Sequence, residues 1–146
     1  MKCEKILRIG VLAEDVYATI EHYKNFGFEN WKIEHFDSNQ IPVMTMKDMG
    51  NNKELKFIGA MYDDEHIHME VIQPLSEGVF MDWLKEHGTG VYHIEMKPAG
   101  DARAFIKECR EKGYESTLDV NFKDGEFGFT YFDTFKLMGF NVEVHF

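Results

Sequence analysis

Seven side chains able to donate, accept or carry a proton fall inside β-rich segments and keep a spacing of two: Arg8 ahead of Gly10, His68 with Glu70, His93 with Glu95, and Glu143 with His145. Guanidinium, imidazole and carboxylate groups together supply charge pairing, proton transfer and ligand contacts. Side chains on a strand alternate faces, so each pair shares one face. Among neighbours such as Met69, Val71, Val142 and Val144, these groups must either meet water or line a cavity in which they are paired. An ordinary alternating strand with one wetted face would carry such residues too. A single face lined by all seven would be too polar for a core and well suited to a binding cleft.

The elements around these residues repeat. Ile6 to Leu12 reads as a strand, Asp15 as the cap of a helix whose apolar face is Val16, Ile20 and Tyr23, and Gly27 as its stop. Phe28 to Phe36, Leu55 to Met61 and Ile67 to Ile72 are expected strands, the last ended by Gln73-Pro74. Gly78 to His87 has helical spacing and forms the expected connecting helix. After Gly88 the pattern restarts, with Val91 to Met96 as a strand, Asp101 as a cap, Phe105, Ile106 and Cys109 on a helix face, and Gly113 as its stop. Tyr114 to Asn121, Phe127 to Phe132 and Phe140 to Phe146 complete the strands. A shift of 86 residues superimposes Asp15 on Asp101, Ile20 on Ile106, Gly27 on Gly113, Phe28 on Tyr114 and Glu29 on Glu115. Each copy therefore reads β-α-β-β-β, module 1 over about 5–74 and module 2 over about 90–146 of a single domain, with the helix at 77–87 between them.

The duplication sorts the polar residues. Arg8 and His93 hold equivalent places in the first strands, and Glu70 and Glu143 in the last, as a pseudo-symmetric site between two modules requires. His66, His68 and His145 have no counterpart and are expected at the surface or in support, with His68 and His145 available for substrate binding. Ser38 to Lys53 holds the residues that module 1 has in excess and reads as an inserted excursion. Its Val43-Met44-Thr45-Met46 run suits an adaptable lid or packing patch.

Composition excludes several classes of partner. A chain of 146 residues can bury about two-thirds of its unfolded surface, and a formal charge of −10 argues against a general nucleic-acid or anionic-membrane surface. Two cysteines, Cys3 and Cys109, are too few for a disulfide framework or a Cys-based zinc site. The N-terminus lacks an apolar signal core and no stretch has the length of a membrane span, so a cytoplasmic protein is expected.

The paired β-α-β-β-β modules, the Met69-Glu70-Val71-Ile72-Gln73-Pro74 strand end, the Gly88-x-Gly90-Val91-Tyr92-His93-Ile94 restart and the closing Gly139-Phe140-Asn141-Val142-Glu143-Val144 resemble the glyoxalase/bleomycin-resistance/dioxygenase superfamily, also called vicinal oxygen chelate proteins. Within it the chain looks most like methylmalonyl-CoA epimerases and lactoylglutathione-lyase-related proteins. The resemblance implies an α+β fold in which the two modules form one curved mixed sheet around a cleft, a homodimer, and proton transfer next to a carbonyl of a small carbonyl or thioester substrate by an isomerase or lyase. It also implies a divalent ion (Zn, Ni, Co, Mn or Mg) on Glu70, His93 and Glu143, with Glu143 as candidate base. Arg8 stands where these metal enzymes usually have histidine, and arginine cannot ligate a cation. Three readings follow. The three remaining residues hold the ion while Arg8 binds a substrate carboxylate, or Arg8 stabilises an oxyanion in metal-free chemistry with Glu95 or Glu143 as base. In the third the cleft only binds small molecules, as the drug-sequestering members do. An oxygen-activating iron site is disfavoured, since Arg8 removes one of its two histidines, and the acidic balance weighs against a highly anionic acyl-CoA.

Overall fold

The computed structural model describes residues 1–146. Strand β1 (Cys3–Leu12) leads into helix α1 (Val16–Asn25), and β2 (Lys32–Asp37) follows. After β3 (Met44–Asp48) come β4 (Lys56–Asp63), β5 (His68–Pro74) and α2 (Val79–His87). The second half runs β6 (Gly90–Pro98), α3 (Ala102–Glu111), β7 (Ser116–Phe122), β8 (Phe127–Phe132), α4 (Phe135–Met138) and β9 (Asn141–His145). The helix signals act as their chemistry requires: the Asp15 carboxylate accepts from Ala18 N, Asp101 accepts from Arg103 N and Ala104 N, and Gly27 and Gly113 take positive φ past the helix ends.

All nine strands form one curled half-barrel sheet in the order β2-β4-β5-β1-β6-β9-β8-β7-β3. Its two halves mirror each other: β1 pairs parallel with β5 and β6 parallel with β9, and β1 joins β6 antiparallel at the centre. On the convex face α1 packs on Val11, Ala60 and Val71, while α3 packs on Phe132, Val142 and Val144. The concave face holds a third cluster, in which Phe80 and Leu84 of α2 meet Leu12, Ile72, Tyr92, Leu118, Val120 and Tyr131.

The Ser38 to Lys53 excursion differs from expectation. It contains β3, which crosses to the far half and pairs with β7, adding a ninth strand beside module 2 rather than forming a loop. Met44 and Met46 pack against the concave core, so this run is a packing patch. The Phe28 to Phe36 strand also starts later, at Lys32, because Phe28 and Trp31 turn aside to pack edge-on and tilted against Tyr23 and Tyr62.

Asp48 fixes the crossing. Its buried carboxylate accepts from Gly50 N (2.7 Å), Asn52 Nδ2 (3.1 Å) and Val79 N (3.2 Å). It thus caps α2, whose own cap residue Gly78 has no side chain to offer. Asp48→Ala would leave these donors without an acceptor and should cost about 1–3 kcal/mol. Chemical denaturation of the variant measures this, and an unchanged midpoint would refute the anchoring role.

Candidate active site

The central strand pair builds the site. In the β1–β6 ladder Arg8 lies opposite Glu95 and Gly10 opposite His93. The neighbouring ladders place Gly10 opposite Glu70 and Glu95 opposite Glu143. The pseudo-two-fold thus maps Arg8 onto His93, Gly10 onto Glu95, and Glu70 onto Glu143.

A bulge stands just before each first-strand member. The ladder slips between Ile6 and Arg8 on one strand, and between Gly10 and Val11 opposite Tyr92 on the other. A bulge re-aims a side chain by placing an extra residue in one strand. On β6 this lets Tyr92 join the concave core while its neighbour His93 also faces inward, which strict alternation forbids.

Gly10 makes the room. A Cβ there would lie 1.9 Å from His93 Cε1, so the imidazole rests directly on the glycine backbone. A mid-strand glycine marks such an approach. Gly10→Ala should displace His93 and destabilise the fold by about 1–3 kcal/mol; a variant with unchanged midpoint and unchanged His93 imidazole resonances would contradict this packing.

Around His93 the charges form a connected set. Its Nε2 lies 3.2 Å from Glu143 Oε2 and 3.9 Å from Glu70 Oε2. His145 Nε2 lies 3.0 Å from the other Glu143 oxygen and 3.9 Å from Glu95. Arg8 Nη1 reaches Glu95 at 3.2 Å and Glu70 at 3.8 Å. His93 is 0 % exposed and Glu143 2 %, and Glu95 is buried with them, while Arg8 and Glu70 are partly buried and His145 reaches solvent. Six of the seven residues singled out in the sequence come together. His68 does not: its Nδ1 pairs with Asp63 at 2.5 Å near the open end of β5.

The cleft itself is a cavity of about 230 Å³, walled by Arg8, Glu70, Glu143 and His145 on one side and by Phe36, Phe57, Phe80, Phe129 and Tyr131 on the other. Glu95 does not reach its wall. Tyr131, which nothing in the sequence pattern marks, stacks edge-on over His93 with ring centroids 5.0 Å apart.

Titration follows from burial and pairing. Burial raises the Glu70 carboxyl above its usual range, an effect that His93 and Arg8 offset only in part. Burial also opposes ionisation of Glu143, yet the His93 charge 3.2 Å away and the hydrogen bond from His145 outweigh it and hold Glu143 well below the ordinary carboxylate range. For both imidazoles burial disfavours the cation, but Glu143 overrides it and raises His93 and His145.

The sign of the pH dependence follows. Raised His93 and His145 stabilise the fold fully below the ordinary histidine value of 6.5, and this is lost as pH rises through their folded values. Lowered Glu143 stabilises it above 4.5, and this is lost on acidification. Raised Glu70 adds a further loss as pH rises. In the presence of chelator, thermal stability should peak between pH 4.5 and 6.5 and fall toward pH 8, with the alkaline fall shallower in His93→Gln. A flat profile from pH 5 to 8 would rule out this pairing.

A divalent cation is compatible with these donors. His93 Nδ1 and Nε2 and Glu143 Oε2 are buried without a hydrogen-bond partner, and three carboxylates face one permanent cation. The ligand atoms of Glu95, Glu143 and His145 all lie within 4.8 Å of one another. That trio shares only Glu143 with the expected set of Glu70, His93 and Glu143; Glu70 lies between Arg8 at 3.8 Å and His93 at 3.9 Å.

This architecture and site define a class. Residues 7–131 match the Glyoxalase/Bleomycin resistance protein/Dioxygenase superfamily, and the chain belongs to it. Among solved structures it is similar to a Streptomyces coelicolor methylmalonyl-CoA epimerase variant in complex with 2-nitronate-propionyl-CoA, at 21% identity and TM-score 0.67 over 99% of this chain and 97% of that one. Methylmalonyl-CoA epimerase from Mycobacterium tuberculosis follows at 15% identity and TM-score 0.66, covering 98% and 87%. A hypothetical protein from Bacillus halodurans is similar at 18% identity and TM-score 0.61, covering 97% and 92%. At these identities the likeness is one of fold. No curated protein is significantly similar in sequence. No helix is long and apolar enough to cross a membrane.

Proposed function

We propose that the cleft is the active site of an isomerase-type enzyme that moves a proton at a carbon next to a carbonyl, on a small carbonyl or thioester substrate. The observation that carries this reading is the pairing of Glu70 with Arg8 on the cavity wall, 3.8 Å apart, where burial keeps the Glu70 carboxyl above its usual range. A general base works best when its pKa approaches the operating pH. Glu70 meets that condition better than Glu143, whose strong pairing to two histidines makes it a poor proton acceptor. Glu95 lies behind the wall, tied to Arg8.

Arg8 takes the complementary role. Its guanidinium would donate hydrogen bonds to the oxygen on which charge accumulates as the proton leaves, a stabilisation that counts most where water is excluded. Its pairs with Glu95 and Glu70 hold the fork in place before substrate arrives. The His93-Glu143-His145 chain would orient the floor of the site, and the phenylalanines opposite would shield the carbanion-like intermediate from bulk solvent. A divalent ion, held by Glu143 with His93 and Glu70 or with Glu95 and His145, would supply Lewis-acid polarisation of the carbonyl. Acyl-CoA ligands in fold relatives support including thioesters in the substrate class.

The direct test is solvent deuterium exchange, followed by proton NMR, into a panel of α-substituted carbonyl compounds and thioesters. Exchange should appear for at least one and fall about 10²-fold or more in Glu70→Gln. Arg8→Gln should slow it comparably without abolishing the fold. No exchange above the Glu70→Gln control, combined with saturable binding of the same compounds, would replace the enzyme reading with that of a small-molecule binding protein of the superfamily.

A further inference from the structure

On the opposite, convex side of the sheet lies a second hollow, of about 370 Å³, between α3 and the strands β3 and β7. Its cations come from two elements. Arg103, Lys107 and Arg110 sit at i, i+4 and i+7 along α3 and line one helix face, while Lys47 rises from β3 directly across the ladder from Asp119. Only one carboxylate, Asp119, lines the hollow, and it is already occupied by Arg110 Nη2 at 2.9 Å and Thr130 Oγ1 at 2.8 Å.

The remaining cations are in excess. Lys47 has no carboxylate partner. Arg103 has none either: it donates to the carbonyls of Gly125 (2.6 Å) and Glu126 (2.8 Å) and lies 4.6 Å over the Phe146 ring. Those contacts fix the guanidinium without neutralising it. Lys107 has only the solvent-exposed Glu111 at 3.6 Å, a pair worth little. In a chain of net charge −10, an excess of positive charge on a concave surface has to be explained. A larger hollow of about 720 Å³ adjoins it, shares Lys47, Arg110 and Asp119, adds one carboxylate, Glu115, and offers half-exposed Met49 and Tyr114 as an apolar platform.

The geometry points to this groove as a binding site for a phosphate-bearing small molecule, its phosphates between Lys47 and the basic face of α3 and any attached ring on Tyr114 and Met49. Ammonium and guanidinium groups converging from two elements suit the multiple oxygens of a di- or triphosphate. The groove exists because β3 crosses to this edge: the added strand extends the sheet beyond the cover of α3 and supplies the opposing lysine. It lies on the other side of the sheet from the His93 cluster, since Asp119 and Thr130 alternate with the inward-facing Val120 and Tyr131. Occupancy of the groove is therefore independent of the proton-transfer reading.

Calorimetric titration at constant ionic strength, with inorganic pyrophosphate and ADP as probes, tests the site. Saturable binding of at least one is expected, weakened about tenfold or more in K47A/K107A, with a control variant K24A/K85A that removes two lysines elsewhere showing no such loss. Equal affinity for the two probes would assign recognition to the phosphates alone, and tighter ADP would add the Tyr114 platform; both support the proposal. Absence of saturable binding up to about 10 mM, or an equal loss in K24A/K85A, would overturn it. Glu70→Gln should bind both probes as the parent protein does, which separates failure here from failure of the active-site reading.

Discussion

The rest of the structure depends on a problem of charge balance. Glu70, Glu95 and Glu143 gather around Arg8 and the two histidines at the join of the two halves, Glu95 and Glu143 both buried, and a buried carboxylate without a partner is too costly to keep. Arg8 supplies one permanent positive charge, and His93 and His145 supply two that depend on protons. Burial raises the Glu70 carboxyl, whereas pairing to His93 and His145 outweighs burial at Glu143 and lowers it, so the two carboxylates titrate apart. Two carboxylates equivalent under the pseudo-symmetry thus acquire different chemistry because their first-strand partners differ.

That difference traces to Arg8 opposite Glu95 and Gly10 opposite His93. A symmetric site would have the same pair twice. Here one half places a long cation that reaches sideways to two carboxylates, while the other places a flat imidazole pressed onto glycine. The bulges at Leu7 and Tyr92 let both side chains leave the regular alternation and still face the cleft. Packing and electrostatics are inseparable: the ring can sit amid the carboxylates only because Gly10 has no Cβ, and the carboxylates can be buried only because the ring is there.

The ninth strand shows how an addition at one edge changes both faces. Inside, Met44 and Met46 extend the apolar wall, and Asp48 ties β3 to the start of α2, the helix that closes one end of the cleft. Outside, the same strand carries Lys47 past the edge of α3. Alternation along five residues therefore serves packing on one side and a charged surface on the other.

Much of this was written in local chemistry. Helix caps at Asp15 and Asp101, stops at Gly27 and Gly113, and the repeat of these signals specify the two modules, because capping and positive-φ demands act over a few residues. The period-two spacing of Arg8, Glu70, His93, Glu95, Glu143 and His145 likewise indicates one polar face, since strand alternation is local. What those signals do not carry is distance between strands. His68 obeys the same spacing as Glu70 yet pairs with Asp63 outside the cluster, and β3 leaves its own module, because register and strand order are settled only when the whole sheet assembles. The placement of Tyr131 over His93, the reach of Arg8 to Glu95 and Glu70 and the split between two equivalent glutamates are tertiary outcomes. They depend on burial and on groups brought together from different strands well separated in sequence, which no short-range pattern records.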